Sequence, residues 1–396
     1  MKNDVFVIGA VRTAIGAFGG SLASVPPTML AAQVVRSALE HACLDGQRVE
    51  QVVFGHVINT EAADMYLSRV AALNGGCDNA CSAFNVNRLC GSGLQAIVSA
   101  AQSISMGDVD IAIAGGAESM SRSPYLSQTS RWGVRSGDAT LIDAMTGVLH
   151  DPFFGIHMGV TAENVAEQWK IGRIEQDQLA LESHRRAQRA IQEGRFATQM
   201  VPITLNRKGR ETTFDTDEHV RFNCEVADLA ALRPVFKRES GTVTAGNSSG
   251  INDAASAVVL ASGRAVSSYG LKPLAKLVAY AHSGVDPRYM GIGPVPATRA
   301  VLARAGIEVA DLDVIEANEA FAAQALAVTK ELGLDANKVN PNGSGISLGH
   351  PIGATGAIIV TKAVHELRRI GGRYALATMC IGGGQGIAAV FENAGQ

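Results

Sequence analysis

Four residues of this 396-residue chain stand in surroundings that suit chemistry: Cys90, Asn318, His350 and Cys380. Cys90 lies in Asn87-Arg88-Leu89-Cys90-Gly91-Ser92-Gly93-Leu94-Gln95-Ala96-Ile97, between a β-like run at residues 83–87 and an apolar-periodic segment that opens as a helix. A cysteine at a helix N-terminus meets free backbone N–H groups and the positive end of the dipole, which together stabilise a thiolate. The same residue type also serves as a small buried hydrophobe. The other three lie far down the chain. Glu316-Ala317-Asn318-Glu319-Ala320-Phe321-Ala322 sets an amide and carboxylates at a strand-to-helix turn. The run from Asn342 to Gly356 isolates His350 among glycines. Cys380-Ile381-Gly382-Gly383-Gly384-Gln385-Gly386 isolates a second cysteine at the end of a buried strand. Singly these read as a capping asparagine, a packed histidine and a core cysteine. Together, beside a helix-start cysteine, they point to nucleophilic chemistry on sulfur.

Strands and helices alternate around these groups. Residues 5–10 read as a buried strand and 28–44 as an amphipathic helix with Leu30, Val34, Val35, Ala38 and Leu39 on one face. A second strand is expected at 51–57, a helix from Cys90 to Met106, and an apolar strand at 109–114. Farther on, 252–262 reads as a helix passing into a strand, 275–281 as a strand, and 296–305, 320–332 and 353–370 as helices. A last strand at 374–379 runs into the glycines after Cys380. This alternation implies a layered α/β core with helices covering the sheet. The two ends share a plan. Leu89-Cys90-Gly91-Ser92-Gly93, a helix, Gly107 and an apolar strand are matched by Gly349-His350-Pro351-Ile352-Gly353, a helix, Gly371-Gly372 and an apolar strand. A duplicated α/β domain follows, with Cys90 and His350 facing each other across the join, where ligand sites often form.

Composition limits the alternatives. A chain of 396 residues exceeds the size at which single cores stop growing, about 250–300 residues. The net charge of −3 offers no overall attraction to nucleic acid or an anionic membrane, and no run of about 18 apolar residues suggests a spanning helix. A cytoplasmic protein is expected. Six cysteines without a disulfide framework suit a reducing compartment, and the CxxxC pair Cys77 and Cys81 lacks a second ligand pair at zinc-site spacing. Residues 120–248 hold 32 of the 71 charged side chains in 129 of the 396 residues, which marks them as an excursion folded over the core. One clear helix is expected there at 176–193, with Leu179, Ser183, Arg186 and Ala190 on a mostly solvated face.

From end to end the sequence resembles the thiolase family, on the runs NRLCGSGLQAI, GGAESMSR, TVTAGNSSGINDAA, NEAFAAQ, GISLGHPIGATG and CIGGGQG. It is most similar to the biosynthetic type, the bacterial β-ketothiolases or acetyl-CoA acetyltransferases of polyhydroxyalkanoate-making organisms. The resemblance implies a duplicated, layered α-β-α-β-α core with an inserted loop domain. Residues 1–119 with 249–270 would form the N-terminal core, 120–248 the loop domain for coenzyme A binding and oligomerisation, and 271–396 the C-terminal core. It implies a β-ketothiolase that condenses two acyl-CoA molecules or cleaves 3-ketoacyl-CoA, with ping-pong kinetics and no metal or resident cofactor. Coenzyme A and acyl-CoA are substrates only.

By the same resemblance Cys90 is the nucleophile, His350 activates its thiol, and Cys380 moves the α-proton. One oxyanion hole uses His350 with a water held by Asn318, and the other uses the backbone N–H groups of Cys90 and Gly382. Arg221, Ser249, Ala245, Leu149, His157, Met158 and Phe321 line the path of coenzyme A. Asp228 stands where relatives place a serine near the adenine end. A homotetramer is implied, through residues 121–140, with no nucleic acid or membrane partner. A decarboxylating condensing enzyme of ketoacyl-synthase type shares the fold, but uses a histidine or asparagine where this chain has Cys380. A degradative 3-ketoacyl-CoA thiolase is the other alternative. A dinucleotide-binding reading fails because no GxGxxG follows the first strand, where Ile8-Gly9-Ala10-Val11-Arg12 stands.

Overall fold

The computed structural model describes residues 3–207 and 209–395; residues 1, 2 and 396, assigned above to the two core domains, and Lys208 of the excursion lie outside the described residues. The core is a sheet of 11 strands, two of them short additions to the main path. Its first half is built from β1 (Val5–Thr13), β2 (Gln51–Gly55), β3 (Ser82–Val86), β4 (Ile111–Ser119) and β5 (Asn252–Ser262). The second half is β6 (Ala275–Gly284), β7 (Leu312–Ala317), β8 (Tyr374–Ile381) and β9 (Gln385–Asn393).

The two halves repeat one pattern. In the first, β2 runs parallel to β4, β4 pairs antiparallel with β5, and β5 antiparallel with β1. In the second, β7 runs parallel to β8, β8 pairs antiparallel with β9, and β9 antiparallel with β6. The first half adds β3 beside β2, whereas the second keeps only a parallel bridge between Ile315 and Val339 in that place. The halves meet where β1 pairs with β6, Phe6 opposite Lys276 and Val7 opposite Ala275. All residues of β4 and β5 are buried on both faces, polar ones such as Glu118 and Asn252 included, so these strands lack the period-2 alternation of a half-exposed strand. That is why residues 252–262, expected to begin as a helix, are a strand throughout.

Helices α1 (Pro27–His41) and α2 (Leu67–Gly75) cover the outer face of the first half. Between the halves lies α3 (Ser92–Met106), packed in one cluster with side chains of β1, β5, β6, β8 and β9. Its companion in that layer is the helix α9 (Thr355–Ile370). The two touch through glycines. A Cβ on Gly93 would lie 2.7 Å from the backbone N of Ala357, and one on Gly356 would lie 2.1 Å from that of Leu94. Gly93 thus pairs with Gly356, three residues later than the Gly353 that the sequence plan aligned with it. The extra residues let a loop carrying His350 fold into the join.

The charged excursion packs over one end of the sheet. It carries α4 (Met158–Trp169) and α5 (Arg173–Gln192), followed in the core by α6 (Pro294–Ala305), α7 (Ala322–Leu332) and the single-turn α8 (Gly345–Leu348) before α9. It sends one short strand, Met200–Val201, into the sheet beside the end of β1. A buried ion pair anchors it there, Arg12 Nη1 to Asp217 Oδ1 at 2.7 Å and Nη2 to Oδ2 at 2.9 Å. The face of α5 expected in solvent is instead half buried in polar contacts. Ser183 Oγ lies 2.6 Å from Glu319 Oε2 and 2.8 Å from Ser347 Oγ, Ala190 is in the core, and Arg186 donates to the carbonyls of Ala336 and Val339. A serine and an arginine at helical spacing resemble a wet face; here they are the means by which α5 grips α7, α8 and the loop before α8. Among the described residues no helix is long and apolar enough to cross a membrane.

Candidate active site

Cys90 sits on a tight turn between β3 and α3. Leu89 takes a left-handed φ of 46°, held by Asn87 Oδ1 accepting from Leu89 N at 3.0 Å, while Ser92 Oγ accepts from Arg88 N and donates to Leu89 O. These bonds close the turn that carries Cys90. The Cys90 and Gly382 backbone N–H groups both direct hydrogen bonds at that sulfur, but burial outweighs them, and the Glu118 charge adds to it. The thiol is pushed up to about 11. A thiolate poised by the helix start is therefore corrected to a neutral thiol that needs a base.

His350 provides the group placed to act as one. It is 5% exposed, and burial pushes it down to about 4, so the ring is neutral at neutral pH and one nitrogen keeps a lone pair free to accept a proton. The turn that carries it is closely held. His350 N donates to Asn252 Oδ1 at 2.9 Å, and Gly349 takes a φ of 115°, with a Cβ there meeting the Asn252 side chain at 2.5 Å. Past the histidine, Gly353 N donates to Glu118 Oε2 at 2.9 Å, and Glu118 also accepts from Val57 N and Ile58 N. Glu118, buried at the end of β4, thus fastens the histidine turn to the half of the fold that holds Cys90. His350 Nδ1 lies 2.7 Å from Thr355 Oγ1, and Asn318 Nδ2 is 3.5 Å from each ring nitrogen, so the amide lies over the ring. Among the described residues Asn318 Oδ1 has no hydrogen-bond partner although it is buried.

Cys380, 1% exposed, ends β8 and is pushed up by burial and then by the nearby charge of Cys90. By strand register it occupies the place in the second half that Glu118 occupies in the first: Glu118 faces Ala254 on β5 and Cys380 faces Gly386 on β9. A methyl built on Gly382 would meet Leu89 Cδ1 at 3.1 Å and the Met158 sulfur only at 3.7 Å. Side chains, not backbone, border that glycine.

One cavity of about 240 Å³ brings these groups together. Cys90, His350, Cys380 and Gly382 line it, as do Leu149, His157, Met158, Ala245, Ser249 and Phe321. Asn318 lies behind His350, and Arg221 lies at the rim, exposed, with Nη2 3.4 Å from Ala245 O. Asp228 caps its own short helix, accepting from Glu225 N at 2.9 Å. Sequence reasoning passed over Met120, Phe236, Met290 and Ile352, which also wall the cavity. Met120 and Ile352 form an apolar cluster with Ile58 against Cys90, and Phe236 stacks on His157 with centroids 4.7 Å apart. Ile352 stood inside a glycine-rich motif that could have pointed to it. Phe236 and Met290 stood in none.

Comparison with known proteins identifies the family. The family model for the thiolase N-terminal domain matches residues 5–264, and that for the thiolase C-terminal domain matches residues 271–393. The chain is 65% identical over 392 residues to Beta-ketothiolase BktB of Cupriavidus necator, covering 99% of this chain and 100% of that protein. It is 48% identical over 391 residues to an acetyl-CoA acetyltransferase of Chromobacterium violaceum, covering 98% and 99%. Human mitochondrial 3-ketoacyl-CoA thiolase in complex with CoA superimposes with a TM-score of 0.96 at 43% identity, covering 99% of this chain and 98% of that one. The acetyl-CoA acetyltransferase of Bacillus anthracis gives 0.97 at 45% identity, with 99% of each chain covered.

Proposed function

This chain belongs to the thiolase family and is an acyltransferase, and from that premise we propose that it is a β-ketothiolase working through an acyl-cysteine intermediate. The convergence of Cys90, His350 and Cys380 on one mostly apolar cavity is the observation that carries this reading.

In cleavage, His350 takes the proton of the Cys90 thiol as the sulfur attacks the keto carbonyl of a 3-ketoacyl-CoA. Both groups start neutral, so proton transfer accompanies attack and no charge is buried beforehand. The carbon–carbon bond then breaks, and the departing acetyl-CoA carbanion takes the Cys380 proton. Free coenzyme A next attacks the Cys90 thioester and carries the acyl group away, its thiol proton passing to the Cys380 thiolate while His350 returns its proton to the Cys90 sulfur. Condensation runs the same steps in reverse, Cys380 removing the α-proton of the second acetyl-CoA. Oxyanions at the Cys90 thioester find the N–H groups of Cys90 and Gly382, which already point at the sulfur. The oxyanion of the coenzyme A thioester is assigned to His350 and a water held by Asn318, whose unpartnered buried Oδ1 supports that role. Enclosure by apolar side chains protects the acyl-enzyme from hydrolysis.

Coenzyme A and its thioesters are the proposed substrates, with no resident cofactor, and Leu149, His157, Met158, Ala245, Ser249 and Phe321 border the pantetheine path. Arg221 at the rim would meet the polyanionic end. The likeness to bacterial β-ketothiolases supports a synthetic direction that feeds polyhydroxyalkanoate precursors, in the cytoplasm. A homotetramer formed through residues 121–140 is supported by the exposed Tyr125, Leu126 and Trp132, the last 88% exposed. The three-part division at residues 119, 248 and 270 has the return of β5 between β1 and β4 in its favour.

Purified protein should cleave acetoacetyl-CoA with free coenzyme A, and mass spectrometry should find an acetylated wild-type chain. Cys90→Ser should give neither. Full turnover by Cys90→Ser would overturn the reading.

A further inference from the structure

Neutral histidine has two tautomers, and only one leaves a lone pair on the nitrogen that must receive a proton. Asn318 does not select between them, because its Nδ2 is equally far, 3.5 Å, from both ring nitrogens. Thr355 does. Its hydroxyl, 2% exposed as a residue at the first position of α9, lies 2.8 Å from Pro351 O and donates its only proton there. Having spent that proton, Oγ1 can only accept from His350 Nδ1, 2.7 Å away. In that arrangement Nδ1 carries the hydrogen, and Nε2 keeps its lone pair.

We infer that Thr355 is a positioning residue of the thiolase reaction, a buried hydroxyl relay that fixes His350 in the Nδ1–H tautomer with Nε2 as the base for Cys90. The inference rests on the reading of Cys90 and His350 given above. The proton it concerns moves from Cys90 Sγ to His350 Nε2 as the sulfur–carbon bond forms. Thr355 keeps its own proton on Pro351 O throughout and touches no substrate.

The same geometry separates this role from a structural one. Pro351 O also accepts the backbone N–H groups of Ala354 and Thr355, each at 2.9 Å, so removing the hydroxyl leaves that carbonyl bonded. Valine keeps the size and branching of threonine in this buried site. Without the hydroxyl, both tautomers and a rotated ring compete, and part of the base contribution of about 100- to 10,000-fold is lost.

The test is acetoacetyl-CoA thiolysis by Thr355→Val, Thr355→Ser and Cys90→Ser, with iodoacetamide modification of Cys90 at neutral pH as a second readout. Thr355→Val should lower kcat about 10- to 100-fold with the KM for coenzyme A within about twofold, and should slow Cys90 modification in parallel. Thr355→Ser, which restores the hydroxyl, should recover most of both. Retention of kcat within twofold by Thr355→Val, or a folded Thr355→Ser no better than valine, would overturn the relay. Should Thr355→Val not fold, Thr355→Ala is read by the same criteria, and failure of both to fold would make Thr355 structural and overturn the inference as well. An inactive Cys90→Ser beside a normal Thr355→Val rejects the relay alone; an active Cys90→Ser rejects the site reading on which it rests.

Discussion

Gly356→Ala tests whether the glycine contact between α3 and α9 sets the spacing of the reacting groups. The added methyl would lie 2.1 Å from Leu94 N, 2.8 Å from Leu94 Cβ and 3.0 Å from Gly93 C. Carbon contacts settle at about 3.5 Å or more, so the helices must part by about 1 Å. The obstacle is mainly backbone and cannot swing aside. Overpacking of this kind costs about 3 kcal/mol at the upper end of its usual range, and alanine returns about 1 kcal/mol of helix propensity. The net loss is about 2 kcal/mol. At about 2.1 cal/mol/K of unfolding entropy per residue, 396 residues give about 0.8 kcal/mol/K, so Tm should fall by only about 2–3 °C. Activity should fall far more, because Cys90 precedes α3 and His350 precedes α9, and a displacement of about 1 Å costs about 100-fold. Calorimetry and acetoacetyl-CoA thiolysis on the same preparation measure both. Gly147→Ala is the control: its Cβ meets nothing within 4 Å, so it should be neutral or stabilising by up to about 1 kcal/mol. A Gly356→Ala protein with kcat within twofold of wild type, or one whose activity loss only mirrors its unfolded fraction, would refute the argument.

Two further outcomes concern stability. His184 and His350, 2% and 5% exposed, are both held down to about 4 by burial, against an ordinary 6.5. Between those values the unfolded chain binds protons that the folded one refuses. The stability these two supply should thus be full above pH 6.5 and fall as the pH drops toward 4, by up to about 2.7 kcal/mol per pH unit for the pair, of which Glu316, its acid raised to about 7, returns about 1.4; urea melts at pH 7.5, 6.5, 5.5 and 4.5 with a constant midpoint would contradict this. Lys362→Met strands Glu316, whose oxygen lies 2.6 Å from Lys362 Nζ in a buried site and whose acid is already raised to about 7 by burial. The loss should reach about 3–5 kcal/mol at alkaline pH, shrink as the pH falls to where Glu316, raised further without the ammonium, takes a proton, and be largely recovered by adding Glu316→Gln; equal stability of wild type and Lys362→Met at pH 8.5 would sink it.

What could be read from sequence followed from how local each signal was. The helix start at Cys90, the glycine-isolated His350 and the strand-end Cys380 carry their meaning in their neighbours in the chain, and the structure brings all three to one cavity. The repeated strand order was visible as a repeated plan of turn, helix and strand. Its register was not, because the three residues separating Gly353 from Gly356 matter only when α3 and α9 touch. Burial decided the remaining differences. The helix start should favour a thiolate, yet enclosure of the sulfur outweighs two N–H donors, a balance no linear motif records. Ser183 and Arg186 looked solvated because their partners, Glu319, Ser347 and the carbonyl of Val339, lie more than a hundred residues away. Phe236 reaches the cavity from a loop and Met290 from a short 3-10 helix, Pro287–Ile292, neither with a sequence pattern that marks it.

The pairing of β1 with β6 has a mechanical meaning. Many two-part enzymes open and close about a flexible link, but here sheet hydrogen bonds and a glycine-tight helix contact both cross the seam beside which the reacting groups stand. A hinge there would have to break the core. Whatever opens the cavity to substrate is therefore to be sought in the side chains that line it, the stacked His157 and Phe236 among them, and not in the seam.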